Sequence, residues 1–240
     1  MSETNVTTVA DTTETIEKAK NIWASYSKTI IYAGSAIIIL LAAWIGYDKL
    51  YKEPREMEAG ETIFAAENLF GKMATAGFNK DSVNIVLNGG TIEGNNITGI
   101  LKVISKYDGT LTADRAKFIA GACYLQIGEF DKAISNLTSF DGGSATQVKS
   151  KALLMLGHAY AEKNKVSEAM DAYKKAAEVN PKDESMTPDA LMVCGNYAEA
   201  NGKNTEAIGF FTKIKDEYPT YISVSNGELD KRLARLGSFK

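Results

Sequence analysis

The residue types that could support chemistry are scarce in this chain. Its 240 residues include one histidine, His158, and two cysteines, Cys123 and Cys194. A zinc site normally gathers three or four ligands, and His158 has no second histidine and no cysteine near it in sequence. No Gly-x-Ser-x-Gly motif presents a nucleophilic serine. We therefore interpret His158 as a polar surface residue and expect no enzyme, cofactor or metal site, with a hydrolase that uses His158 as the alternative.

Composition and cysteine placement exclude several other classes of function. With 24% charged residues and a net charge of -3, the chain has no global attraction for nucleic acid. It also has no glycine-rich phosphate loop of the GxxxxGK[ST] type. Cys123 and Cys194 fall two repeats apart in the pattern described next, about 20 Å in a helix stack, and a disulfide spans at most about 7 Å. We expect both thiols to be free and buried.

Three segments of the sequence repeat around a glycine. Gly121, Gly157 and Gly195 are separated by 36 and 38 residues. An alanine follows each glycine by 12 residues and a large apolar residue follows it by 16, namely Ala133, Ala169 and Ala207, then Leu137, Tyr173 and Phe211. Glycine and alanine let two antiparallel helices approach closely, while the large side chain fills the space between them. The pattern predicts three helix pairs, of which Pro181 and Pro219 end the second and third.

The middle copy resembles the tetratricopeptide repeat, whose unit is about 34 residues long. The matching positions are Leu153, Leu156, Gly157, Tyr160, Ala169, Tyr173, Ala176 and Pro181. Such units bury their apolar faces only by stacking on one another. The resemblance implies an all-α solenoid over 49–224, with about four helix pairs and a C-terminal capping helix. Its parts are a degenerate pair at 54–107, repeats at 114–147, 150–183 and 188–221, and a cap at 225–240.

Three local features of this solenoid carry their own predictions. The first copy has Phe140 where a small residue is usual, so its second helix should pack more loosely. In the 78–94 insertion, Val83, Val86 and Leu87 either cover the end of the solenoid or meet a partner. Ser225 and Glu228 have the spacing of a capping box and should begin the final helix.

A long apolar run precedes the solenoid. No charged residue occurs between Lys28 and Asp48, and a helix over these residues is about 28 Å long, close to the hydrocarbon thickness of a bilayer. We predict a transmembrane helix at 29–48, after a disordered tail and interfacial helix at 1–28; a buried core helix and a cleaved signal peptide are the alternatives. Three basic residues lie on each side, so their count gives no orientation. They are Lys18, Lys20 and Lys28 before the span, and Lys49, Lys52 and Arg55 after it.

The tetratricopeptide resemblance also implies a partner-binding groove on the first helix of each pair. Its side chains combine apolar anchors with both signs of charge, which suits a polypeptide better than a small molecule. Phe118 and Ala122 replace the lysine and asparagine of repeats that clamp chaperone C-termini, which argues against that class of partner. The implied groove residues are Arg115, Phe118, Gln126, Lys151, Leu154, His158, Glu162, Asp189, Met192, Asn196 and Glu199.

The order of segments, a short tail, one span and then helix pairs, resembles the YfgM-like family of bacterial inner-membrane proteins. The segments "DSVNIVLNGG" and "FFTKIKDEYPT" are similar to its Bacteroidetes version. The resemblance implies an ancillary, protein-binding subunit of the Sec translocon that works with the membrane-anchored prolyl isomerase PpiD and periplasmic chaperones. It also implies a cytoplasmic N-terminus and a periplasmic C-terminal domain. A cytosol-facing receptor for targeting or import, or a scaffold of another envelope secretion complex, stays as an alternative.

Overall fold

The structure is a computed structural model that describes residues 6–92 and 94–238, without the side chains of 6–14, 22 and 30. Its chain divides into two compact units, residues 1–54 and 55–240, which are described separately below. Nearly all of the described residues that form regular structure are helical. The expected all-α fold is therefore confirmed, apart from one short hairpin.

The first unit contains helix α1, Val6–Tyr47, followed by a π-helical turn at Asp48–Lys52 and the start of α2, Glu53–Ala76. The helical run Ile31–Ala76 contains a window long and apolar enough to cross a membrane, and none of that window is buried. Ile37 to Leu41 are each more than half exposed. A large apolar surface of this kind marks a membrane or protein contact, so the candidate span is present where the sequence places it.

The predicted tail and interfacial helix at 1–28 need correction. Residues 1–5 lie outside the described chain, and α1 runs without a break from Val6 through the predicted boundary at 28. Residues 6–28 contain no proline and no glycine. Extending an existing helix fixes one residue per hydrogen bond, whereas starting a new one is much less favourable, so a polar segment joined to a long helix continues it.

The second unit is a stack of helix pairs. Helix pairs α5/α6, α7/α8 and α9/α10 follow one another, with α6 packed on α7 and α8 packed on α9. They correspond to the three predicted repeats. The helices are α5 Leu111–Gln126, α6 Phe130–Ser139, α7 Thr146–Glu162, α8 Val166–Glu178, α9 Met186–Ala200 and α10 Asn204–Glu217.

The region before the first repeat differs from the predicted helix pair at 54–107. Helix α2 is present, but the expected partner helix consists of strand β2, Asn95–Thr98, and a two-turn helix α4, Ile100–Lys106. Strand β2 pairs antiparallel with β1, Gly89–Ile92. Glycines allow this hairpin, since a Cβ at Gly99 would lie 2.3 Å from the carbonyl carbon of Asn88. A helical reading of the apolar periodicity missed it because both strands are only four residues long.

The 78–94 insertion belongs to the core. It contains helix α3, Lys80–Asn88, whose Asn79 side chain accepts a hydrogen bond from the Ser82 amide at 2.8 Å. Val83, Val86 and Leu87 are buried and pack in one cluster with residues of α2, α4 and α5. Of the two readings of this patch, the covering one agrees with the structure.

The C-terminal cap is present, but its predicted start is wrong. Ser225 ends a short helix α11, Ile222–Ser225, where its hydroxyl donates to the Ile222 carbonyl at 3.1 Å. Helix α12, Glu228–Arg235, begins after Gly227, which has φ 73°. Asn226 accepts the Glu228 amide at 2.9 Å and so replaces the serine of the expected capping box. Leu229 and Leu233 are buried against the last repeat, as a capping helix requires.

Candidate polypeptide-binding surface

Each helix pair crosses where the sequence places a glycine. A Cβ added to Gly157 would lie 2.3 Å from Cε1 of Tyr173, and one on Gly195 would lie 2.3 Å from Cε1 of Phe211. In the first pair, a Cβ on Gly121 would lie 2.5 Å from Cγ of Leu137. The alanines at the facing positions are fully buried: Ala133, Ala169 and Ala207. The predicted division of roles between glycine, alanine and the large side chain is confirmed in all three pairs.

A cavity of about 540 Å³ opens between α2, the first helix of the first repeat and the start of α7. Two of the predicted groove residues, Arg115 and Phe118, belong to its lining. Most of the rest of the lining is apolar and comes from Phe70, Leu111, Ile119, Phe140, Val148 and the loop residues 142–145. A cavity of this size accepts a large side chain.

The loop that closes one side of this cavity, residues 140–145, is fixed by Asp114. Its two carboxylate oxygens accept the backbone amides of Asp141 at 3.0 Å and Gly142 at 2.9 Å. Phe140 then packs on Phe118, with ring centroids 5.6 Å apart. The unusual Phe140 therefore forms a wall of the cavity.

The charged side chains at and near the cavity differ in whether they have hydrogen-bond partners. Nε of Arg115 donates to Oε1 of Glu67 at 3.1 Å, which leaves the Arg115 side chain 56% exposed. The Asp114 carboxylate accepts the two loop amides described above. Lys151 lies one helical turn beyond Val148, is exposed, and has no hydrogen bond or ion pair with the described residues. Helix α7 also begins without a side-chain cap.

The other predicted groove residues of the first two repeats lie apart from this cavity. Gln126 lines a separate small pocket beside Phe78 and Asn79. Leu154 is half-buried against the core, and Glu162 is exposed. The structure therefore does not gather the predicted set into one pocket.

In the third repeat, three predicted groove residues already have partners in the C-terminal segment. Tyr221 donates its hydroxyl to Asp189 at 2.7 Å, and Arg235 donates to Glu199 at 2.6 Å. Arg232 donates to the side-chain oxygen of Asn196. Met192 is half-buried in the cluster beneath them. The polar face of α9 is thus engaged within the chain, and the open part of the surface lies towards the first two repeats.

Residues 150–183 match the tetratricopeptide repeat. The match covers α7 after its first turn, all of α8, and the turn that contains Pro181. No curated protein matches the chain. Tetratricopeptide repeats are typically non-enzymatic protein-interaction scaffolds, so the match implies protein partners.

His158 is a partly exposed residue of the tetratricopeptide repeat and contacts the ring that fills its helix crossing. Its Nδ1 lies 2.9 Å from the hydroxyl of Tyr173, and the two rings meet edge-on with centroids 5.3 Å apart. Partial burial lowers the pKa of His158, while the Glu162 carboxylate opposes that effect. Tyr173 in turn packs edge-on against Tyr197, at 5.2 Å. His158 thus continues a ring contact between repeats.

Neither His158 nor the cysteines form a cluster suited to metal binding within the described residues. Cys123 and Cys194 are free and fully buried, as the sequence predicts. Burial raises the pKa of each thiol to about 12. Both therefore carry protonated, unreactive thiols at neutral pH.

Sequence reasoning missed most of the cavity. Glu67, Phe70, Leu111 and Asp114 line it but do not occupy groove positions of the repeat pattern. Glu67 and Phe70 come from α2, which lies outside any recognisable repeat, whereas Leu111 and Asp114 come from the first turn of α5. The available signal was the departure at Phe140 followed by "DGG", because Asp and Gly mark a turn directly after a large ring that the repeat pattern does not use.

Proposed function

We propose that this protein is a membrane-anchored scaffold that holds another polypeptide on the first helices of its tetratricopeptide-like pairs. The observation that carries the proposal is the apolar cavity at Phe70, Phe118 and Phe140, which stands in a stack of helix pairs. An exposed apolar helix in the same chain supplies the anchor. These features suit recognition of a chain by shape and apolar contact.

The finer proposal is that the chain serves as an ancillary subunit of the Sec translocon. Its partners there would be the channel and the membrane-anchored prolyl isomerase PpiD or another periplasmic chaperone. It rests on the resemblance of the segment order to the YfgM-like family. In this assignment the N-terminus is cytoplasmic and the second unit is periplasmic. In this assignment the partners carry out any chemical reaction, and this chain holds them next to the channel.

Co-purification tests the partner assignment. The full chain is isolated from native membranes in mild detergent, next to a variant whose residues 29–48 are replaced by an unrelated transmembrane helix. We expect Sec channel subunits to accompany the native chain and to be reduced in the variant, because the anchor lies beside the channel. Recovery of the native chain alone would contradict the assignment.

Orientation is tested with one introduced thiol. Ser225 is exposed, whereas Cys123 and Cys194 are buried, so Ser225→Cys provides a single reactive site. We expect a membrane-impermeant maleimide to label this variant in cells with a permeabilised outer membrane and an intact inner membrane. Labelling only after the inner membrane is opened would instead support the cytosol-facing receptor.

A further inference from the structure

The cavity next to Lys151 defines the kind of polypeptide that fits it. Both acidic side chains in its lining already accept hydrogen bonds. Asp114 accepts them from the loop amides, and Glu67 accepts one from Arg115. Lys151, three residues after the lining residue Val148 on α7, is exposed and has no hydrogen bond or ion pair with the described residues. The uncapped start of α7 adds positive potential on the same side. An occupant that brings negative charge next to an apolar side chain complements both features.

We propose that the cavity receives one large apolar side chain of a partner polypeptide, with an acidic residue beside it that pairs with Lys151. This inference rests on the proposed function and specifies its ligand. Phe70, Phe118 and Phe140 contact the apolar side chain. The volume of about 540 Å³ is large enough for the side chain of a phenylalanine, leucine or tryptophan.

Synthetic peptides provide the probe. The first is a short fluorescein-labelled peptide with one phenylalanine between glutamates, the second carries lysines in place of the glutamates, and the third carries alanine in place of the phenylalanine. With the full chain in detergent, we expect the alanine peptide to bind at least about tenfold more weakly, because a phenylalanine side chain is no longer buried. We expect the lysine peptide to bind several-fold more weakly than the glutamate peptide, with a difference that shrinks in high salt.

Two variants locate the binding. Ala145 lines the cavity and is exposed, so Ala145→Trp fills the space without disturbing the core, and Ala200→Trp places the same ring on an exposed site at the end of α9. We expect Ala145→Trp to lose the glutamate peptide and Ala200→Trp to keep it. Lys151→Glu should reverse the preference between glutamate and lysine peptides, whereas Lys175→Glu, at an exposed position of α8, should not.

Several results would overturn the inference. Unchanged peptide binding by Ala145→Trp would place the site elsewhere, and equal binding of the glutamate and lysine peptides would remove the role of Lys151. A dimer that dissociates in Ala145→Trp would show that a second copy occupies the cavity. If Ala145→Trp keeps its co-purifying partners, the scaffold function stands and only this site is wrong; absence of partners from the native chain contradicts the function itself.

Discussion

The α-carbon of Gly157 packs against the ring of Tyr173 so closely that a Cβ there would lie 2.3 Å from Cε1 of that ring. Tyr173 is 2% exposed and packs on Tyr197 of the next repeat. The glycine thus sets the distance between α7 and α8. The tyrosine that packs on it also contacts α9 through Tyr197. Replacement of either residue is expected to affect two helix pairs.

Gly157→Ala is expected to lower the free energy of unfolding by roughly 1–3 kcal/mol, because the added methyl group displaces a buried ring in a packed core. The matched control is Gly209→Ala, an exposed position of α10 with no heavy atom within 4 Å of the added Cβ. That change should be neutral or stabilise the protein by up to about 1 kcal/mol, since alanine favours helix. Denaturant unfolding of both variants measures the difference, and equal effects would contradict the close crossing.

Leu229→Ala is expected to destabilise the protein by roughly 2–5 kcal/mol, because Leu229 is fully buried and its loss leaves a cavity under the cap. The control is Ile222→Ala, seven residues earlier and 67% exposed, which should change stability by less than about 0.5 kcal/mol. Thermal unfolding distinguishes the two. A stability loss no larger for Leu229→Ala than for Ile222→Ala would show that α12 does not cover the last repeat.

Stability should fall as the pH drops below about 6.5, the usual pKa of histidine. Burial lowers the pKa of His158 in the folded state, so the unfolded chain binds more protons in the interval between the two values. With Nδ1 unprotonated, the Tyr173 hydroxyl donates the hydrogen bond at this site, and protonation removes that acceptor. His158→Gln should make the melting temperature less sensitive to pH between neutral pH and pH 5. If the melting temperature of the variant depends on pH as that of the native protein does, His158 is not the cause of the stability loss.

Cys123 and Cys194 should resist alkylation by N-ethylmaleimide in the native protein at neutral pH. Both side chains are fully buried, and burial raises the pKa of each thiol to about 12. In denaturant, both should react at the rate of free cysteine. Mass spectrometry after a timed exposure counts the adducts, with Ser225→Cys as the reactive control. Rapid modification of the native chain would mean that the repeat cores open.

The sequence predicted the structure correctly where a contact depends on the type of a single residue. Gly157, Ala169 and Tyr173 appear at spacings that have a single geometric meaning, so the helix crossings could be predicted with their residues. The cavity could not be predicted, because it depends on α2 and on the Asp114 carboxylate binding amides 27 and 28 residues away. The hydrogen bonds that Tyr221 donates to Asp189 and that Arg232 and Arg235 of α12 donate to Asn196 and Glu199 could not be predicted either, since they depend on how the C-terminal segment packs.

Site-specific photocrosslinking in living cells tests the central claim, that the first helices of the repeats hold another polypeptide. A photoreactive amino acid replaces Lys151 on α7 in one strain and the exposed Asp171 of α8 in another. The account predicts discrete polypeptide adducts from position 151 that are absent from position 171, and their loss when Ala145→Trp is added. Equal crosslinking from both positions, or none from position 151, would contradict it.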